Sequence, residues 1–155
     1  QILKGENFMV KKLLIDDDSC PVVDLALKIA KEFELQPILF CDTSHQIERE
    51  NVLTIIVSKG RDAADFRLVK EVGKGDIIIT NDYGLAAMCL AKGGYVINAN
   101  GKYLTSDNID SLLYIRHEHV KIRKAGGRTK GPKKRTEENN NVFEINFRKL
   151  CERVQ

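Results

Sequence analysis

At 155 residues, 43% hydrophobic and 30% charged, the chain is long enough to bury a real core and has the balance of a soluble globular protein. No apolar run approaches the roughly 20 residues of a membrane helix. Cys20, Cys41, Cys89 and Cys151 stand far apart with no Cys-x-x-Cys pair, which argues against a zinc knuckle or disulfide scaffold and for a reducing cytoplasm. The net charge of +3 hides a segregation. Residues 1–115 carry 13 basic against 17 acidic side chains, residues 116–135 nine against one, and the last twenty three against four. A basic segment beside an acidic body suggests a polyanionic partner; the alternative is a solvated basic loop.

The first eight residues, "QILKGENF", lack the apolar segment of a secretory signal, and Met9 is a natural start. Residues 9–155 are therefore expected to form one domain, and 1–8 an appended or disordered leader. "KKLLID" (11–16) reads as a strand with an apolar centre. In "CPVVDLALKIAKEFE" (20–34), Val22, Val23, Ala26, Ile29, Ala30 and Phe33 fall on one helical face, with Pro21 and Asp24 suited to its first turn. "QPILFC" (36–41) and β-branched "VLTIIVS" (52–58) are the next strands. "RDAADFRLVKEVGKG" (61–75) is a helix stopped by glycines. "DIIIT" (76–80) is a strand, "DYGLAAMCLAKGG" (82–94) a helix, and "YVIN" (95–98) a fifth strand. Residues 105–125 hold one further helix, 126–141 read as an exposed loop whose basic part is about 126–136, and "VFEINFRKLCERV" (142–154) is a last amphipathic helix.

Strands alternating with helices at this spacing predict βαβ units and a mainly parallel sheet in a three-layer α/β/α sandwich. The strands are apolar on both faces, as a sheet covered on both sides requires. Ligands of such sheets bind beyond the carboxyl ends of the strands. Asp16 and Asp18 lie at that end of the first strand, Asp82 just past the fourth, and Asp62 and Asp65 shortly after the third, three apart and so on one helical face. Asp76 opens its strand and belongs to the other rim. Carboxylates gathered in that number repel unless a cation compensates, and hard oxygen donors suit Mg²⁺ or Mn²⁺. Such a cation activates water and neutralises charge developing on a phosphodiester. The plain alternative makes Asp18, Asp62 and Asp82 helix N-caps.

"IDDDSCP", "GRDAADFRLV", "GDIIITNDYGLA" and "GGRTKGP", in this order and spacing, resemble the YaiI/YqxD family of uncharacterised bacterial proteins over residue 11 to about 150. Members of that family are similar to PIN-like domains, an α/β fold that often houses a Mg²⁺- or Mn²⁺-dependent ribonuclease. The resemblance implies a PIN-like fold and puts the family's acidic signature on Asp16, Asp18, Asp62, Asp65 and Asp82. The family usually has a small residue where Asp17 stands, so Asp17 is not counted as a ligand.

Other constellations are weaker. A receiver domain would need a phosphoacceptor aspartate ending the third strand, which "VLTIIVSKG" lacks, and a lysine after the fifth, where only Lys102 stands nearby. A haloacid-dehalogenase phosphatase would need late acidic residues after a strand, whereas Asp76 opens one. Cys20 opens a helix, where the dipole lowers a thiol's pKa, but no partner is evident. His117 and His119 would share a face of a strand, not of a helix, and His45 has no visible partner. "GGRTKGPKKR" lacks the ordered spacing of a Walker loop. Arg128, Lys130, Lys133, Lys134 and Arg135 can approach phosphates of RNA or DNA, with strongly salt-dependent binding. Tyr83 is the aromatic residue expected near a bound base.

The expectation is a Mg²⁺/Mn²⁺-dependent hydrolase of RNA phosphodiesters, cytoplasmic and without a membrane partner, compatible with a homo-oligomer. Asp16, Asp62, Asp65 and Asp82 would be metal ligands, and Asp16, Asp18 and Asp82 catalytic. The rival is a non-catalytic RNA- or nucleotide-binding module of the same fold.

Overall fold

The computed structural model describes residues 11–17, 21–42, 49, 52–57, 63–128 and 134–155, with the backbone alone at 42, 57 and 63–65. Strand β1 (Lys12–Asp16) leads through helix α1 (Val23–Glu32) to β2 (Gln36–Asp42) and β3 (Leu53–Val57). Helix α2 (Ala63–Glu71) then crosses to β4 (Ile77–Ile79), and α3 (Tyr83–Ala91) leads to β5 (Tyr95–Ile97). A short β6 (Tyr103–Leu104), α4 (Ile109–Lys124) and α5 (Glu137–Val154) follow.

The sheet order is β3-β2-β1-β4-β5-β6, parallel except for the antiparallel β5–β6 pair. Alternate residues of each strand feed opposite layers. Leu13 and Ile15 of β1 pack under α1 and α5 with Ile29, Ala30, Phe143 and Phe147. Leu14 lies in the other core with Ile78, Leu68 of α2, Leu85 of α3 and Ile109 of α4. Helices on both faces of one sheet make the three-layer α/β/α sandwich, and the continuous apolar strands are the sequence form of that double burial. Among the described residues no helix is long and apolar enough to cross a membrane.

Two elements differ from the sequence reading. β6 went unseen because two residues carry no period; Asn98 makes it by bending the chain, its N–H donating to the Lys102 carbonyl and its Oδ1 accepting from the N–H groups of Asn100 and Lys102. Helix α5 begins five residues before the predicted 142, in a stretch read as loop. Thr136 caps it, its Oγ1 accepting from Asn139 N while the Asn139 side chain accepts from Thr136 N, and Glu137 and Glu138 favour the dipole. An asparagine-rich turn without apolar period hides such a start.

The amino rim of the sheet is tied by Asp76. Its Oδ1 accepts from Lys12 N at 3.1 Å, its Oδ2 from Gly73 N at 2.8 Å, and the Lys12 ammonium lies 3.3 Å away. Asp76 therefore serves β1, β4 and the turn before it, on the rim where the sequence put it.

Candidate functional site

The chain fills the sheet from β1 outward in one direction through β2 and β3, then returns to fill the other side through β4, β5 and β6. The reversal lies between β1 and β4, and in open α/β sheets ligands bind beyond the carboxyl ends of the strands at such a point. Ile15 is in register with Ile79, and Ile79 with Ile97. The residues that follow, Asp16, Thr80 and Asn98, form the next row across three neighbouring strands. They are 6%, 1% and 7% exposed, and with Asp76 they are the buried polar side chains among the described residues. By the two-residue period this row faces the α2/α3/α4 layer, as Leu14, Ile78 and Val96 do.

Buried polar groups must be paired, and one hydroxyl organises this row. Thr80 Oγ1 donates to Asp16 Oδ2 at 2.9 Å and accepts from Asp82 N at 3.0 Å. Asp82 in turn caps α3, its Oδ1 accepting from Leu85 N at 3.1 Å. Asp82 is thus the N-cap that the plain alternative made it, and the cap uses one of its two carboxylate oxygens. Next to it, Asn81 Oδ1 accepts from Ala99 N at 2.9 Å, joining the exit of β4 to the exit of β5.

Arg135, near the carboxyl end of the basic segment, binds the same rim. Arg135 Nη2 donates to the Ala99 carbonyl at 2.8 Å, Nη1 to Asn100 Oδ1 at 3.0 Å, and Nε to Asn140 Oδ1 at 2.8 Å. Hydrogen bonds link Asp16 to Thr80 and, from its chain neighbour Asn81, continue through Ala99 to Arg135. Arg135, half-buried, holds the segment to the β5–β6 hairpin, while Arg128 and Lys134 are exposed. Lys130 and Lys133 lie outside the described residues.

Of the predicted carboxylates, the Asp16 side chain and the backbone N–H of Asp82 meet at the Thr80 hydroxyl, while the Asp82 carboxylate caps α3. Asp18 and Asp62 lie outside the described residues, as does the side chain of Asp65, whose backbone is in the first turn of α2. Among the described residues no group of three or more His, Cys, Asp or Glu is arranged to hold a metal. Tyr83 is half-buried against the core of the α3 layer. His117 and His119 lie on helix α4, where a two-residue step turns them to different sides. Cys41, Cys89 and Cys151 are buried and in no disulfide, and burial pushes the Cys151 thiol up to about 12. Cys20 and His45 lie outside the described residues.

Thr80, Asn81 and Asn98 escaped sequence reading because the search was for charge. A signal existed: "DIIIT" and "YVIN" each end an all-apolar strand on a hydrogen-bonding residue, at the rim that already held Asp16.

The model of the uncharacterized BCR, YaiI/YqxD family matches residues 14–153. The chain belongs to this family. Among relatives, a UPF0178 protein of Exiguobacterium sibiricum is 49% identical over 139 residues, covering 90% of this chain and 95% of the relative. A UPF0178 protein of Oceanobacillus iheyensis is 45% identical over 142 residues (90% and 94%). One of Clostridium acetobutylicum is 42% identical over 144 residues (92% and 97%). No solved structure matches. The YaiI/YqxD match spans β1 through α5, so the carboxyl rim, the hairpin and the helix that Arg135 meets all fall within it.

Proposed function

We propose that this YaiI/YqxD protein is a Mg²⁺- or Mn²⁺-dependent, PIN-like nuclease that hydrolyses RNA phosphodiesters at the carboxyl rim between β1 and β4. The observation that carries the proposal is the joining of two chemistries at one rim. The buried Asp16 carboxylate and the backbone of half-buried Asp82 share the Thr80 hydroxyl, and Arg135 binds the adjoining hairpin from the carboxyl end of the basic segment. Asp16 and Asp82, with Asp62 and Asp65, would hold the cation, and hard carboxylate oxygens at a half-dry rim suit it. The cation would activate water and offset charge on the scissile phosphate. Asp18 would orient the water. Thr80 fixes the rotamer of Asp16 by hydrogen bonding to its Oδ2. Arg128, Lys130, Lys133 and Lys134 would track the backbone of the substrate, while Arg135 sets where that track starts. Tyr83, beside Asp82, would stack a base.

Calorimetric titration of Mn²⁺ into the parent and Asp16→Asn, followed by hydrolysis of labelled single-stranded RNA, tests this. The expected result is binding lost in the variant and RNA cleaved only by the parent. Equal cleavage by the two proteins would overturn the catalytic assignment. Metal binding and salt-dependent RNA binding without cleavage would favour the second reading, a non-catalytic RNA-binding module, which the anchored basic segment also supports.

A further inference from the structure

On the opposite face of the sheet from Asp16, a cavity of about 520 Å³ opens between α1 and the approach to β3. Leu27, Leu35, Pro37 and Val52 form an apolar floor, and Leu27 and Leu35 belong to the α1/α5 core rather than to the layer that the Asp16 row faces. Its polar wall is Asp24, Lys28, Lys31 and Arg49. Asp24, Lys28 and Lys31 are four and three residues apart along α1, so successive turns present them to one side. Arg49 lies across from them, its Nε donating to Asp24 Oδ1 at 3.1 Å. Its Nη1 is buried and has no hydrogen-bond partner among the described residues. A buried guanidinium nitrogen left without an acceptor is costly, so an acceptor supplied by a ligand would be favourable there.

We propose that this cavity binds a phosphate monoester carrying a planar or apolar body, the chemistry of a mononucleotide. Among the described residues, three cations against one carboxylate leave two positive charges, which match a phosphate monoester near neutral pH, whose charge is about −1.5 to −2. The Arg49 Nη1 donor answers a phosphate oxygen, and the two exposed ammonium groups complete the shell as point charges. The apolar floor takes the body of the ligand, and the volume falls within the range of small-molecule pockets. The site is independent of the nuclease reading, because none of its residues reaches the carboxyl rim row.

The test is titration of adenosine 5′-monophosphate into the full chain in the presence of EDTA, followed by calorimetry, with adenosine as the uncharged control. Because Arg49 also bridges to α1, the main variant is the exposed pair Lys28→Glu and Lys31→Glu, checked for folding by circular dichroism, with Arg49→Lys alongside. Saturable binding is expected, at least tenfold weaker for adenosine and for the charge-reversed variant, weakened in Arg49→Lys and unchanged in Asp16→Asn. No saturable binding by the parent, equal binding of adenosine, or unchanged affinity in the folded charge-reversed variant would each overturn the proposal. Loss of binding in Asp16→Asn would move the ligand to the other rim and overturn it as well.

Discussion

The two rims of the sheet each bury an aspartate beside a neighbouring strand, and they treat it differently. At the amino rim, Asp76 meets an ammonium group and two backbone N–H donors, all serving to lock β1, β4 and the 73–76 turn together. At the carboxyl rim, Asp16 shares a threonine hydroxyl with the backbone of Asp82, in a row continued by Asn98 at a strand-order reversal. Burial alone thus does not assign a carboxylate its part. The contacts differ: Asp76 meets a lysine ammonium and two backbone N–H groups, whereas Asp16 accepts from a threonine hydroxyl at the strand-order reversal.

Substitutions can break or sharpen that contrast. The largest effect is expected from Asp76→Ala, which strands the Lys12 and Gly73 backbone N–H groups and leaves Lys12 Nζ with the Glu71 carbonyl but no carboxylate; it should cost about 3 kcal/mol in urea unfolding. Asp16→Asn should leave the unfolding midpoint close to the parent's, because an amide oxygen still accepts from Thr80. It should nevertheless lower RNA hydrolysis by about 100-fold or more, as expected when a catalytic group is lost. A midpoint shift as large as that of Asp76→Ala would make both aspartates structural and erase the contrast. Gly101→Ala probes the hairpin that carries Arg135. Gly101 has φ +85°, and a Cβ there would lie 2.9 Å from the Val142 carbonyl oxygen. Thermal denaturation should report a loss of about 2 kcal/mol from that clash. Smaller still, Asp82→Ala should cost about 1 kcal/mol as a lost N-cap, whereas Asp82→Asn keeps the cap and removes only the charge. If both variants hydrolyse RNA as the parent does, Asp82 is a cap and nothing more.

The weakest effect is that of pH. Hydrogen bonding to Arg67 holds the Glu71 carboxyl below its ordinary value, and Arg148 does the same for Glu32. A carboxylate with a lowered folded-state pKa stabilises in full above its unfolded value of about 4.5 and loses that contribution as pH falls through the folded value. Unfolding midpoints between pH 6 and pH 3 should fall for the parent and fall less for Glu71→Gln. For an exposed pair the difference should stay under about 1 kcal/mol and shrink with added salt.

Much of this was legible in the sequence because double burial makes strands continuously apolar and helices periodic. "KKLLID", "DIIIT" and "YVIN" declared themselves, and with them the rim on which Asp16 and Asp82 stand. The position of Asp76 followed from its opening a strand rather than closing one. The hydroxyl joining Asp16 to Asp82 was not legible: residues 16 and 80 are 64 apart, and their meeting depends on which strands are neighbours, which no local period encodes. The role of Arg135 was hidden for the same reason. In "GPKKR" it looks like its neighbours, and only its meeting with Asn100, 35 positions away, turns it from one more phosphate contact into an anchor.

Helix α5 closes the layer over α1, with Phe143, Phe147, Leu150 and Cys151 in the core and Arg148 reaching Glu32 across 116 residues. That separation has a consequence for synthesis on the ribosome. Until α5 has emerged, Leu13, Ile15, Ile77 and Ile79 have only α1 to shelter them, and one side of the nascent sheet presents aliphatic surface. Contacts of such sequence distance form late and slowly. The folding intermediate most prone to stick to its neighbours is therefore a chain stopped short of residue 143, and chaperone engagement should be greatest there.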